Sequence, residues 1–463
     1  MEELRILSPT AILGYGFPER SFVEGMGRKP DLLAVDAGST DPGPYYLGAG
    51  VSFTEYRAVK RDLTIMLQAA LEAGIPVFIG SAGGSGGRPH LEWNLRIIRE
   101  IAHEKRLHFR LAAIEAEIPR ETVTSLWQQH RLKPLPPAPD LSSADIEETE
   151  RIVGQMGVEP FLRAMESGAQ VILAGRSYDP AVFAAYGIAR GFDPGLAIHL
   201  GKILECAAIA ATPGSGSDCL MGYLHRSDFE VEPLNPARRC TPLSVAAHTL
   251  YEKSNPYELP GPGGVLDLHA ARFDAVTENR VRVTGSRFLP TSYQVKLEGV
   301  KRTGYRTVSI AATRDPLMIR EIDQVVSGVR ERVTDNFKAE GFDYFLDFKI
   351  YGRNGVMGSL EPEPVIGSHE LGIVIEAVAA SQELADTVCG FARSTMLHFG
   401  YPGRIATAGN LAFPYSPSDF PAGPVYVFSI YHLAAVTAEE LFPVTVREID
   451  PDGRADIVEE AIR

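Results

Sequence analysis

The chain has 463 residues, 45% of them hydrophobic and 22% charged, with a formal net charge of −14 and four cysteines. That length exceeds what one hydrophobic core organises, so two or more domains are expected. The acidic balance excludes a nucleic-acid surface, no apolar run reaches the roughly 20 residues that cross a bilayer, and the widely spaced Cys206, Cys219, Cys240 and Cys389 form neither a disulfide framework nor a zinc knuckle. The N-terminus, Met1-Glu2-Glu3-Leu4-Arg5, does not read as a signal peptide, and a reducing cytoplasm is the expected location.

From residue 4 to about 275, short apolar strands alternate with helical segments. Strands are expected at Ile6–Leu13, Asp31–Val35, Ile75–Ile79, Arg110–Ile114 and Gln170–Ala174. Between them Tyr56–Ala73 reads as an amphipathic helix through Val59, Leu63, Met66 and Ala70, and Leu91–Glu104 does so through Leu95, Ile98 and Ile101. The alternation predicts a Rossmann-like α/β domain over residues 1–275, a parallel sheet covered on both faces with ligands at the carboxyl ends of its strands. Three dense loops follow strands in that way.

The first loop, Asp36–Gly48 (DAGSTDPGPYYLG), holds two carboxylates, two hydroxyls and two tyrosines. Asp36 ends an apolar strand as a site carboxylate does, while Asp41 lies in Ser-Thr-Asp-Pro-Gly, which also reads as plain turn chemistry. Tyr45 and Tyr46 are placed to orient a substrate. The second loop, Gly80–Gly87, packs five glycines into eight residues between an apolar run and a helix start. Such a loop suits an anion, held by the backbone of Ser81, Gly83, Gly84, Ser85 and Gly86. It lacks the Lys-Ser/Thr ending of a nucleotide P-loop and does not spell G-x-G-x-x-G in register. Its G-x-S-x-G match is read as chance, because Ser85 lies six residues past Ile79 and not on a sharp elbow. His90 follows as an acid/base, a metal ligand or a backbone-bonded helix-start residue.

Arg131–Asp140, with its Lys133–Pro139 core, is a stiff proline-rich excursion, read as a solvated connection ahead of a partner-binding motif. The third loop carries Arg176, able to pair with carboxylate or phosphate, and Asp179 before Pro180. Asp-Pro also starts helices by capping, and the chain repeats it at Asp193 and Asp315. His199 lies on a helix whose Lys202 and Glu205 read as a surface pair. Gly214–Asp218 either faces the glycine loop across a cleft, with Asp218 contacting substrate, or links a helix to a strand. The segment from Glu252 to Tyr257, with Pro260–Gly264, reads as a lid or hinge.

Near residue 275 the pattern changes. Strands at Asn279–Thr284, Thr291–Leu297, Arg306–Ala312, Asp343–Tyr351 and Leu371–Val378, with helices over Leu317–Arg332 and Glu383–Phe399, predict a smaller α+β domain over residues 276–463 of ferredoxin-like type. Val425–Leu433 and Phe442–Ile449 add strands that can return to either sheet.

Taken together, Asp36–Gly48, Gly80–Gly87 with His90, and Gly175–Pro180 resemble the AtuA family of acyclic terpene utilisation proteins. Glu205, Asp218 and Tyr251–Pro260 (YEKSNPYELP) fit the same pattern, and the resemblance is strongest over residues 5–270. It implies bacterial catabolism of branched acyl-CoA and related carboxylic acids, and a lyase-like activity. Longer members carry a further C-terminal domain with an R-S-G-D-K-G-type motif that is not found here, so a stand-alone form or a small partner protein is expected.

The expectation is therefore an enzyme acting on a small carboxylate or acyl-CoA as hydratase or lyase. Asp36 and His90 are the acid/base candidates, with Asp41 and Asp179 orienting them or holding a divalent cation; no cofactor is named by the sequence. The alternatives are a nucleotide- and magnesium-dependent ligase or transferase, and a non-catalytic metabolite-binding subunit of a catabolic complex. A homo-oligomer is expected on general grounds.

Overall fold

Five strands dense in Leu, Ile, Val, Ala and Phe sit side by side because each places apolar residues on both faces and can be covered from either side, with Glu3, Arg5 and Arg110 confined to strand starts. In the computed structural model, which describes residues 2–251, 254–437 and 439–462, these are β1 (Glu3–Ser8), β2 (Leu32–Asp36), β3 (Val77–Gly80), β4 (Phe109–Ile114) and, after the short β5 (Leu132–Pro134) and β6 (Arg151–Gly154), β7 (Val171–Ala174). They lie in the order β1-β2-β3-β7-β4, all parallel. The first strand stops at Ser8 and does not continue to Leu13, since Pro9 has no N–H to give to a ladder.

The period of two sorts the strand residues between two cores. Leu33, Val35, Val77, Ile79, Leu111 and Leu173 face α1 (Glu19–Gly27), α3 (Tyr56–Ala73) and α4 (Arg88–Lys105), with the short α2 (Pro44–Ala49) preceding α3. Leu32, Ala34, Phe78, Ala112, Ile172 and Ala174 pack against the other face. There lie α5 (Arg120–Gln128), α6 (Ser143–Glu148), α7 (Glu159–Glu166), α8 (Asp179–Ala189) and α9 (Pro194–Leu204). Topology explains the division. The chain steps from β1 to β2 to β3 to β4 in one direction, leaving a slot, and then steps back to fill it with β7. Right-handed crossovers therefore put the earlier helices on one face and the later ones on the other. The loops leaving β3 and β7 lead to helices on opposite faces, so the switch point of the sheet lies at the carboxyl ends of these two strands.

Antiparallel strands extend the sheet, which is mixed and not wholly parallel. On the β1 side come β8 (Leu220–His225) and β9 (Asp228–Pro233). After α10 (Pro242–Leu250), β10 (Glu258–Gly261), β11 (Gly264–Asp267) and β14 (Arg287–Pro290) form a separate three-stranded sheet. The intervening β12 (Arg272–Ala275) and β13 (Val281–Thr284) add to β9. The start of β15 (Gln294–Thr313) pairs with β6 and carries Lys296 and Glu298.

The compact units are residues 1–301 with 428–463, and residues 302–427, whereas the change of sequence style falls near 275. In the smaller unit the element order is the rest of β15, α11 (Pro316–Arg320), α12 (Ile322–Phe337), β16 (Tyr344–Tyr351), β17 (Leu371–Ala379), α13 (Gln382–His398) and the start of β18 (Asp419–Ala435). β17 pairs antiparallel with both β15 and β16, and Val325, Val329, Val388 and Ala392 of the helices bury against Phe348, Ile373 and Ile375. The chain then returns to the first unit, where the end of β18 pairs with β5, so part of the proline-rich excursion is a strand. β19 (Val444–Ile449) pairs with β4 and β20 (Ala455–Ile462) with β19, completing eleven strands. No helix among the described residues is long and apolar enough to cross a membrane.

Candidate functional site

At this end of the sheet the glycine loop folds back on itself. Ser81 and Ala82 donate their N–H groups to Gly175 and Ala174, prolonging the pairing of β3 with β7, while Gly84 and Gly86 donate to Ser81 and Ala82. These four donors are committed inside the protein and residues 81–87 are buried throughout, so Ser81, Gly84 and Gly86 do not offer their N–H groups to an anion. It builds a close approach of two chain segments. Gly86 has φ +67°, and a Cβ there would stand 2.0 Å from the Arg176 nitrogen. Gly83 presses on the ring of His90 in a similar way, and Gly84 on Phe53. Gly86→Ala combines left-handed strain of about 1–2 kcal/mol with a backbone clash of about 1–3 kcal/mol. Denaturant unfolding is expected to show a loss of about 2–5 kcal/mol, and a midpoint equal to that of the parent would count against this role.

The loop seats Arg176, which is 2% exposed. Its Nε donates to Glu298 Oε2 at 2.9 Å, and its Nη1 donates to Asp179 Oδ1 and to the Ser177 carbonyl at 2.9 Å. Ser81 Oγ accepts a longer bond from Nη1 at 3.4 Å. Glu298 is fully buried and also takes bonds from Lys296 Nζ at 2.7 Å and Thr40 Oγ at 3.0 Å. One carboxylate thus ties the loop after β2, the loop after β7 and β15 together. Burial pushes the Glu298 carboxyl up, but Arg176 and Lys296 outweigh it and hold it at about 2.

Asp36 has the opposite character. It is 5% exposed; Oδ2 accepts from the Gly38 N–H at 2.9 Å, and Oδ1 has no hydrogen-bond partner among the described residues. Burial first, and then the charge of Asp179, raise its carboxyl well above the ordinary range. The Asp179 carboxyl is raised too, chiefly by burial, although Arg176 opposes this and its side chain keeps 29% exposure. Asp193 and Asp315 cap their helices as the Asp-Pro pattern predicts, whereas Asp179 turns its carboxylate to Arg176. Lys202 and Glu205, expected on the surface, are buried and bonded at 2.7 Å, and both act electrostatically on Tyr178. Three cations, Arg176, Lys202 and Lys296, thus lie among four carboxyl groups, and a proton on Asp36 brings the two signs into balance.

The remaining sequence candidates fall elsewhere. His90 is fully buried and its Nε2 faces the carbonyls of Tyr46 and Val51, each at 3.0 Å. Nε2 must therefore be the donor, and burial lowers the ring's proton affinity, so this histidine fastens the segment around α2. Asp41 is exposed in a turn, its N–H bonded to Ser39 Oγ at 3.1 Å. Tyr45 and Tyr46 lie on α2, packed edge to face at 5.5 Å, with Tyr46 also against Phe53. Ser85 is fully buried and its Oγ has no partner among the described residues.

Asp218 does not face the glycine loop. Its carboxylate accepts from Arg238 and Asn235 at 2.7 Å, and residues 214–218 are the link to β8. Cys219 is buried with its thiol pushed well up, and burial pushes the Cys206 thiol to about 12, so neither is a ready thiolate. His199 is a buried structural residue between Ser286 and Thr249. Of the expected lid, Glu252 and Lys253 lie outside the described residues, and Pro260–Gly264 is the tip of the β10–β11 hairpin.

Lys296 and Glu298 are absent from the sequence candidates. One signal pointed to them: within Gln294–Val300 they alternate with Val295 and Leu297, which puts two opposite charges on one face of a strand whose neighbours are core. Only one group of three metal-ligating side chains occurs among the described residues, His225, Asp228 and Glu230, away from this site and taken up in ion pairs with Glu3, Arg280 and Arg282. A cavity of about 550 Å³ adjoins the charge cluster, with Lys296 and Tyr178 in its wall.

The profile of one family, described as "Acyclic terpene utilisation family protein AtuA", matches residues 55–218 and 234–413. No curated protein and no solved structure gives a significant match.

Proposed function

The chain belongs to the AtuA family of acyclic terpene utilisation proteins, and from that premise we propose a catabolic enzyme acting on a small carboxylate or acyl-CoA as a hydratase or lyase. The observation that carries the reading is the pair of carboxyl groups at the end of β2 and after β7, Asp36 and Asp179, which both act on the one buried guanidinium of Arg176. Addition or loss of water next to a carbonyl needs one group to remove a proton from carbon and another to protonate the departing hydroxyl. Two carboxyls whose surroundings treat them differently divide that work. Asp36, deeply buried and with its carboxyl raised well above the ordinary range, is the proton donor. Asp179, more exposed and bonded to Arg176, is the base, and Arg176 steadies the negative charge that develops.

Commitment of the Ser81, Ala82, Gly84 and Gly86 N–H groups to carbonyls of the protein weighs against a phosphate cradle of the kind a nucleotide-dependent ligase would use. We read the larger unit as Rossmann-like and the smaller as ferredoxin-like, from their strand orders. We place the enzyme in the cytoplasm, in keeping with four unpaired cysteines.

A thermal-shift series on metal-stripped protein tests the reading. Hydroxy acids or acyl-CoAs at one hundred times their Kd are expected to stabilise it by about 2.7 kcal/mol. A shift with ATP and magnesium alone would move the protein to the ligase class.

A further inference from the structure

We infer that the 550 Å³ cavity and a smaller one beside it form a single two-chamber site for an acyl ligand, with its oxygen at Lys296 and its aliphatic chain in the smaller chamber. The inference deepens the hydratase or lyase reading and rests on it for the location of the chemistry. The larger chamber has the volume of an ordinary small-molecule site, about 300–1,000 Å³, and its polar lining comes from Gln155, Thr291, Ser292, Gln294 and Lys296. The smaller, about 230 Å³, is lined by Leu162, Ile188, Ile198, Leu259, Leu266 and Phe288. They share a wall made of Tyr178 and the tip of the β10–β11 hairpin, Gly261, Pro262 and Gly264.

Each chamber has a chemical preference. Lys296 donates to Glu298 at 2.7 Å, and its side chain, 19% exposed, stands in the wall of the larger chamber. An ammonium has three donors, and a carbonyl or carboxylate oxygen suits those that Glu298 does not take. In the smaller chamber the one acid in the lining, Glu159, has its carboxyl raised by burial, which disfavours its charged form there. A polar wall with one cation and an apolar annex behind a shared tyrosine fit an oxygen-bearing head with a short hydrocarbon tail.

Calorimetric titration of the full chain with straight-chain carboxylates from acetate upward, and with the matching CoA thioesters, tests this. Affinity is expected to rise about fourfold per methylene and then level off when the chamber is full. The form that binds more tightly identifies the natural head group, and chain-dependent binding in either form supports the inference. Lys296→Gln is expected to weaken carboxylates at least tenfold and matching alcohols little. Ile198→Trp is expected to abolish the advantage of the longer chains. If either variant fails to fold, the series on the unaltered protein still decides. An affinity independent of chain length, or no binding of any acyl ligand at millimolar concentration, overturns the inference. Chain-dependent binding together with full turnover by Asp36→Asn would sink the catalytic reading and leave the two-chamber site standing.

Discussion

Glu298→Leu is expected to destabilise the larger unit by about 3–5 kcal/mol, the usual cost of leaving a buried charge without its partner. Arg176 is 2% exposed and Glu298 is fully buried, so no water replaces the lost carboxylate, and Asp179 alone remains opposite the guanidinium. At roughly 2.1 cal/mol/K per residue, a unit spanning residues 1–301 and 428–463 shifts by roughly 1.5 °C per kcal/mol, a fall in Tm of about 4–7 °C. Pairing it with Arg176→Met is expected to recover much of the loss, because both charges leave the core together. The pH dependence has a definite sign. With its folded pKa at about 2, below the ordinary value of 4.5, Glu298 contributes stability that is complete above pH 4.5 and is lost as pH falls towards 2. The leucine variant lacks that contribution, so the gap to the parent narrows in acid. A melting temperature within 1 °C of the parent at neutral pH, or losses that simply add in the double variant, would refute the account.

Local pattern was legible in the sequence and long-range pairing was not. Tyr56–Ala73 is a helix with the bounds its apolar period indicated, because Val59, Leu63, Met66 and Ala70 meet one core. The loops after β2, β3 and β7 converge, as the carboxyl ends of parallel strands require. Asp36 was separable from Asp41 by the strand that precedes it: one is buried at a strand end and the other is a solvated turn residue. The partners of Arg176 were out of reach, since Glu298 is 122 residues away and nothing local distinguishes a guanidinium awaiting substrate from one already paired. The partners of His90 were out of reach for a related reason. Its two carbonyl partners lie 44 and 39 residues upstream, and only the folded α2 segment brings them to one ring nitrogen. Lys202 and Glu205 misled because a spacing of three reads alike on a solvated and on a buried helix.

Asp36→Asn is expected to lower turnover by about 10²–10⁴-fold, the usual contribution of a positioned proton donor. Asparagine keeps the shape of the neutral acid and can still accept from the Gly38 N–H, so the fold is retained and the loss is chemical. A stability measurement separates this from structural damage. The folded pKa of Asp36 stands above its unfolded value of 3.8, so the folded chain holds its proton more tightly than the unfolded one. Stability is then greatest in acid and declines as pH rises from about 3.8 through the folded pKa, at up to about 1.4 kcal/mol per pH unit. Asparagine has no proton to lose there. The variant is therefore expected to gain on the parent with rising pH across that window, and the gain to level off once Asp36 is ionised in the parent. The alkaline fall of kcat/KM in the parent is expected over the same range, because the donor is then spent. Full turnover by the variant would remove Asp36 from the chemistry. A Tm difference that stays constant with pH would show that no raised carboxyl exists at this position.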